Sequence, residues 1–379
     1  MSRRPRGTEE VVSALLLLLC GCGRVNYLTV DPEDAGHDAA SGDAVDLGRD
    51  LGAPDTDAGG IDPEPDSGSA PDAGRVDLGT DAGLGTDAGP LGGLVVTNTL
   101  ASGPGSLDDA ISRANAECTT VGAQTIVFDI PETDPGFVSG TGGRRWWRIT
   151  ASATSTLTCP DTTIDGTTQT TRHGNTNAFV VSAGPVGAAG VPLPLIQGPE
   201  VELRGIGFMV ATSGVTLRGI AFRSFIGTAP GALIEQCFLN SEPDSTTAPP
   251  TPLRTDTGLV FYAEGCTDCL VRESVLVGAN GSASTYNLFS FRMGSTRATV
   301  QDCYFTGTVT GAGSWDAVYL NPADDHRVVH NYLGAQGYEY HVEWVPGSAG
   351  IIRENTFVGT GRTFSMGGAV MMSGNLTIP

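Results

Sequence analysis

Four ionisable residues stand at one repeated place in the chain. Six hexapeptides share an apolar-x-x-small/polar-x-apolar pattern: Leu217–Phe222, Ile234–Leu239, Val271–Leu276, Val300–Phe305, Val328–Leu333 and Ile352–Phe357. Their third residues are Gly219, Gln236, Glu273, Asp302, His330 and Glu354. If the copies stack in register, the last four form one exposed column. Carboxylates at that spacing repel, which raises their affinity for a proton or for a cation such as calcium. Arg272 and Arg353 stand beside them as basic partners; the plainer alternative is a solvated face of mixed charge. Asp324-Asp325-His326 gathers in the turn before Val328 as a second acid/base candidate, although such residues are ordinary in turns. His341 and Glu343 alternate with Val342 and Trp344 and so can share a face, as a packed pair or as an acid/base pair. The fifth hexapeptide residues include Phe238, Tyr304 and Tyr332. Facing outward on a rigid sheet, these rings would stack on sugars; facing a loop, they would pack beneath it. Trp146-Trp147, between Arg145 and Arg148, reads as a strand with one ring in and one out.

Such candidates need elements to position them. The hexapeptides that begin at Val271, Val300, Val328 and Ile352 are 29, 28 and 24 residues apart. A second apolar segment precedes each: Leu259–Tyr262, Leu288–Phe291, Ala317–Leu320 and Val342–Val345. Self-similarity at this period is the signature of a solenoid. Each rung supplies two strands joined by a polar or Gly-rich turn, with room for a third face. The first, fourth and sixth hexapeptide residues point inward and stack about 4.8 Å apart. The fourth residues are Ile220, Cys237, Ser274, Cys303, Asn331 and Asn355. Asn there can turn the chain and ladder its amide, while Cys237 and Cys303 fill space without pairing, since the Ser274 rung stands between them. The Leu376–Pro379 end shows no capping helix; either Gly361–Gly374 folds over the last rung, or chains associate there, or the sequence continues.

Charge divides the chain before any rung begins. It has 379 residues, 42 acids, 21 bases that are all Arg, and a net charge of −21, which argues against a nucleic-acid partner. Residues 31–90 hold 16 of the acids against two Arg, with repeated Asp-Ala-Gly and Asp-Leu-Gly and almost no aromatic or β-branched residues. Such a segment cannot bury enough apolar surface to order itself, and is expected to be a disordered, solvated stalk. Arg3, Arg4 and Arg6 precede the apolar run Val11–Leu19, which is too short to span a bilayer at about 20 residues. The run ends in Leu19-Cys20-Gly21-Cys22, which resembles a bacterial lipobox. The small Gly21 makes Cys22 the better acceptor of lipid than Cys20. The resemblance implies export and a lipid anchor, with the outer membrane or cell surface as the address; a plain secretory peptide is the alternative.

The folded part opens with the strand Leu94–Thr99. Ser106 reads as an N-cap, with Asp108 and Asp109 in the first turn and Leu107, Ala110, Ile111 and Ala114 on one face. Thr125–Ile130 and Thr162–Thr167 follow as short strands. Together Leu94–Thr99, Gly105-Ser106-Leu107, Ala110-Ile111, Ala114-Asn115-Ala116, Thr125–Ile130 and Thr163–Thr167 resemble the N-terminal unit of CSLREA-type bacterial surface proteins. Gly105 stands where that family has Cys, and Asp108-Asp109 where it has Arg-Glu. The resemblance covers about residues 94–170. It implies a helix that caps a right-handed, single-stranded parallel β-helix of the pectate-lyase-like class. That family has no single activity, so no catalytic residue is carried over. Within such enzymes a carboxylate column holds calcium against an anionic sugar, a role the Glu273–Glu354 column would take here.

Cys118 and Cys159 lie in the cap of an exported chain and are expected to pair. Cys266-Thr-Asp-Cys269 reads first as free thiols, then as a local disulfide, and last as half a metal site. The organisation expected is a lipoprotein signal peptide over 1–22, an acidic linker over 23–92, a cap and first strands over 93–170, and all-β rungs over 171–379. The function expected is a surface-anchored lipoprotein presenting its β-helix to a glycan, matrix or surface polymer, with no required cofactor and calcium as an option. The alternative is a polysaccharide lyase or glycoside hydrolase using some of Glu273, Asp302, His330, Glu354, Asp324 and Asp325.

Overall fold

The computed structural model describes residues 94–150, 156–177, 185–204, 207–243, 260–278, 287–292, 294–308, 316–320, 325–335, 337, 339–345, 349–359, 362–366 and 369–379. By contacts the chain divides into Met1–Ala82 and Gly83–Pro379, and every described residue lies in the second unit.

Three sheets run along that unit, parallel throughout except where Phe137–Ser139 pairs antiparallel with Arg145–Thr150. The first holds ten described strands, from Leu94–Val96 through Thr216–Arg218, Leu233–Glu235, Leu270–Arg272, Thr299–Gln301, His326–Val329 and Ala349–Arg353 to Ala369–Ser373. The second also holds ten, from Phe137–Ser139 and Arg145–Thr150 through Ile220–Phe222, Phe238–Leu239, Val275–Gly278, Tyr304–Gly307 and Tyr332–Leu333 to Leu376–Ile378. The third holds seven, beginning at Phe208–Val210 and Phe225–Thr228 and continuing with Phe261–Glu264, Phe289–Phe291, Asp316–Leu320, Tyr340–Trp344 and Arg362–Met366. Successive strands of a sheet come from successive rungs and pair in parallel, for example Val271 with Val300 and Val300 with Val328. The chain is a parallel β-helix.

Each hexapeptide is therefore two strands of two sheets, not one. The bend falls at its third residue, where Gly219, Gln236, Glu273, Asp302, His330 and Glu354 all have φ between 47° and 63°. A left-handed residue turns the chain by a corner in a single step, although all but the glycine carry a side chain there. The first, fourth and sixth residues enter the core: Val300, Cys303 and Phe305 are all fully buried. A corner of this kind leaves the next backbone N–H pointing along the axis, and the fourth-residue column supplies its acceptors. Cys303 N donates to Asn331 Oδ1 (2.9 Å), Asn331 N to Asn355 Oδ1 (2.9 Å) and Asn355 N to Asn375 Oδ1 (2.9 Å). The amide nitrogens donate in turn to the first-sheet carbonyls of Val300 (3.0 Å), Val328 (2.8 Å) and Ile352 (2.9 Å). Lower in the stack Ser274 Oγ accepts from Cys237 N at 3.2 Å. Elsewhere the core is aromatic: Phe225, Phe261 and Phe289 stack with centroids 5.0 and 4.4 Å apart.

The N-terminal end is closed by α1 (Leu107–Val121), whose Ser106 cap accepts from Asp109 N at 3.1 Å and whose Leu107, Ala110, Ile111 and Ala114 are buried. A disulfide joins Cys118 to Cys159 with a Cα–Cα distance of 5.5 Å. A second helix, α2 (Thr167–His173), has no counterpart in the sequence pattern; its Gln169 is buried and exchanges hydrogen bonds with the Ile130 backbone at 2.9 and 2.8 Å.

Several expectations need correction. Cys266 and Cys269 are not free thiols but a buried disulfide across the rung turn, with Cα atoms 5.6 Å apart. Trp146 and Trp147 are both buried, because Trp146 donates to the sequestered Glu202 (2.6 Å) and Trp147 to the Pro131 carbonyl (3.0 Å). The 362–366, 369–373 and 376–378 segments do not fold over the preceding rung but extend all three sheets.

Candidate functional site

The corner column that carries Glu273, Asp302, His330 and Glu354 is occupied by the protein itself. Segment 185–196 lies across the second sheet as a strap. His330 Nδ1 is 2.5 Å from Asp302 Oδ1, and its Nε2 is 2.9 Å from the Val191 carbonyl oxygen. Asp302 also accepts from Gln301 at 2.8 Å. Glu354 Oε2 accepts from Ala189 N (3.1 Å), and Thr356 Oγ1 from Gly187 N (2.9 Å). Among the described residues Glu273 accepts a single long bond, from Gln236 at 3.4 Å. The column thus holds down a strap, and beside the strap His330 and Glu354 border an open hollow of about 350 Å³ with Ala189, Val191, Val329 and Arg353; among the described residues no cluster of His, Cys, Asp or Glu is grouped to hold a metal ion.

The strap also overturns the sugar-stacking role given to Phe238 and Tyr304. Val186, Leu193 and Ile196 cover Ala221, Phe238, Val275 and Tyr304, leaving Phe238 0% and Tyr304 6% exposed. Tyr332 stacks on Tyr304 with centroids 4.9 Å apart and stays partly exposed at the edge of this second core. Of the Asp324–His326 turn, Asp324 lies outside the described residues, Asp325 is an exposed corner residue with φ 64°, and His326 is buried against Phe291, so Asp325 and His326 do not share a face. His341 and Glu343 take opposite sides, since His341 is buried against Phe357 while Glu343 is half-exposed. Cys22 lies outside the described residues.

The outer face of the third sheet gathers what the corner column does not. Its register stacks Met209, Ile226, Tyr262, Ser290, Tyr319 and Glu343 in one outward file. Met209 and Ile226 are exposed at 51% and 44%. Two rungs separate Tyr262 from Tyr319, about 10 Å at the usual strand spacing. Arg292 spans that interval, its guanidinium 4.4 Å from the Tyr319 ring centroid and 5.8 Å from that of Tyr262. Tyr262 donates its hydroxyl to Glu264.

Beside them lies Asp316, only 2% exposed. Ala317 and Val318 are both core residues, so the alternation breaks there and Asp316 meets Glu343. Burial, then the hydrogen bond and charge of Glu343, then Glu339, raise the Asp316 pKa to about 9 against the opposing pull of Arg292. Among the described residues no donor reaches its Oδ1, as fits a carboxyl that holds its own proton and shares it with Glu343. Ser290 Oγ, fully buried between the two tyrosine rungs, also lacks a partner among the described residues. The result is a shelf of two phenol rings bridged by a cation and edged by Glu343, with Asp316 buried behind it as its hydrogen-bond partner. In the sequence, the Ala317–Leu320 segment marks this strand, but the break at Ala317 hides Asp316.

No known family profile matches the chain, and no curated protein matches it. Among solved structures it is similar to a protein provisionally assigned as a glycosyl hydrolase from Parabacteroides merdae, at 12% identity over 70% of this chain and 90% of that one, TM-score 0.30. It is also similar to the A-module of the mannuronan C-5 epimerase AlgE6 of Azotobacter vinelandii, at 10% identity over 75% and 91%, TM-score 0.27. A third similarity is to PfbA, a surface adhesin of Streptococcus pneumoniae, at 8% identity over 74% and 93%, TM-score 0.23.

Proposed function

We propose that this β-helix binds an extended glycan along the outer face of its third sheet, and that the Cys22 lipid and the acidic 23–92 linker hold it at the cell surface. The observation that carries this reading is the Tyr262–Arg292–Tyr319 shelf with the Asp316–Glu343 pair at its edge. Flat rings on a rigid sheet give sugars an apolar platform, and the half-exposed Glu343 beside them offers an acceptor to hydroxyls. A proton-holding Asp316 also favours a second reading, hydrolysis by general acid catalysis. Binding stands ahead of it because the two carboxyls bond each other directly. Glycosidases hold theirs about 5–9 Å apart to straddle the scissile bond.

The test is retention of the purified chain on immobilised neutral and acidic polysaccharides, with and without calcium, alongside assays for new reducing or unsaturated ends. The expected result is retention without cleavage, with Tyr262→Ala and Tyr319→Ala each weakening it about tenfold. Unchanged retention in both variants would overturn the site. Cleavage that disappears in Asp316→Asn would replace binding with hydrolysis.

A further inference from the structure

The outer face of the first sheet carries charges that the protein handles in two different ways. Along the file formed by the second hexapeptide residues, the register sets Arg218, Glu235, Arg272, Gln301, Val329 and Arg353 side by side. In the lower half the charges cancel. Glu235, whose side chain is 4% exposed, accepts from Arg218 Nε (2.5 Å) on one side and from Arg272 Nε (2.9 Å) and Nη2 (2.6 Å) on the other. In the upper half the alternation stops at Gln301 and Val329. Arg353 is exposed, and so is Arg327 in the neighbouring outward file, one rung below and two residues across. Their Cα atoms are about 8 Å apart at ordinary strand and rung spacings. Among the described residues no carboxylate lies within 4 Å of either guanidinium.

That arrangement is unusual for this composition. With two acids for every base, most arginines described here have a carboxylate partner; Arg113, Arg145, Arg148, Arg172, Arg204 and Arg297 are further cases. Arg327 and Arg353 border one open groove of about 360 Å³, with Thr299, Gln301 and the Asp268–Arg297 pair on its other sides. Asp268 is spoken for, since Arg297 grips both its oxygens at 2.7 and 2.6 Å. Among the described residues the groove therefore presents two guanidinium forks with no carboxylate partner, a hydroxyl and an amide, with its one carboxylate already neutralised. Guanidinium forks on a shallow, open face suit carboxylate or sulfate groups carried on a chain.

We propose that this groove is a second binding site, separate from the third-sheet shelf, and that it takes the anionic groups of an acidic polysaccharide through Arg327 and Arg353. The ligand class is a uronate or sulfate-ester polymer. The site does not depend on the third-sheet reading, because the two sheets share none of the residues involved.

Three arms test it on the full chain at moderate salt: heparin for sulfate esters, polygalacturonate for carboxylates and dextran as the neutral control. Retention on heparin or polygalacturonate but not dextran is expected, and the polymer retained names the anion. Arg327→Gln/Arg353→Gln should weaken that retention at least tenfold, whereas Arg113→Gln/Arg172→Gln, which removes the same two charges from α1 and α2, should leave it within twofold. No retention on either acidic polymer, or equal losses in the Arg113/Arg172 variant, would overturn the proposal. A native-protein measurement guards against misfolding of the double variant. Phenylglyoxal labelling read by mass spectrometry should show Arg327 and Arg353 protected by the retained polymer; unprotected arginines would also overturn the site.

Discussion

Asp316 turns a local environment into a pH dependence of the whole fold. In the unfolded chain its carboxyl loses its proton near the ordinary value of 3.8; in the folded chain burial and Glu343 hold that proton to about 9. Between those values the native state binds more protons than the unfolded state, so stability falls as pH rises and flattens outside the window. Asp316→Asn keeps the shape and removes the titration. It should raise stability at pH 8 by about 1–2 kcal/mol and leave pH 4 unchanged, read from urea midpoints at the two values. A wild-type midpoint that is flat from pH 4 to 8 would contradict the shared proton. Glu235 works with the opposite sign. Burial opposes its charge, but hydrogen bonds from Arg272 and Arg218 win and hold its pKa below the usual 4.5. Its contribution is present above that value and fades as pH falls.

At the scale of elements, the Asn331–Asn355–Asn375 ladder makes the corner tolerable in successive rungs. Asn355 accepts from Asn331 N and Asn331 Nδ2 and donates to the Val328 carbonyl. Asn355→Ala removes an amide that accepts two of these bonds and donates a third, and should cost about 2–3 kcal/mol, where Ser274→Ala, which loses one bond from Cys237 N and one to the Arg272 carbonyl, should cost about 1–2 kcal/mol. Equal urea midpoints for the two variants would deny the ladder its role. The inward residues of this element were legible in the sequence because apolar and small residues recur at fixed offsets, and a core column tolerates little else. The corner itself was only half legible: Glu273, Asp302, His330 and Glu354 were visible as a column, but left-handed φ at non-glycine residues leaves no compositional trace. The strap was invisible, since the Pro- and Gly-containing 185–196 segment has no strand period and its partners are residues of distant rungs. α2 was missed because Thr167–His173 holds four threonines, which favour strands. Asp316 was missed because reading a strand by alternation assigns it the wrong side.

For the molecule as a whole, a solenoid distributes stability as a sum of neighbour interfaces, so its ends are the weakest places. The Cys118–Cys159 bond closes a 41-residue separation at the N-terminal end and ties α1 to the entry of the first rungs. Cys118→Ser/Cys159→Ser should cost that end about 3–4 kcal/mol and lower its unfolding temperature ahead of the rungs, seen as a new early transition in calorimetry. A single unshifted transition would mean that the end is held by packing alone. At this scale the all-β solenoid and its helical cap followed from the period and the Ser106 cap, whereas the placement of the binding faces did not. Outward residues answer to solvent, neighbours and covering segments, and none of these is written in the repeat.

The strap gives this linear stack a return path. Its contacts at 187–191 fasten to Thr356, Glu354 and His330, which are 139 to 169 residues further along the chain. A zipper that is buckled back onto its own teeth cannot open one tooth at a time from the far side. Rungs that would otherwise fray singly are bound to give way together, and that shared fate keeps both outer faces presented as rigid rulers.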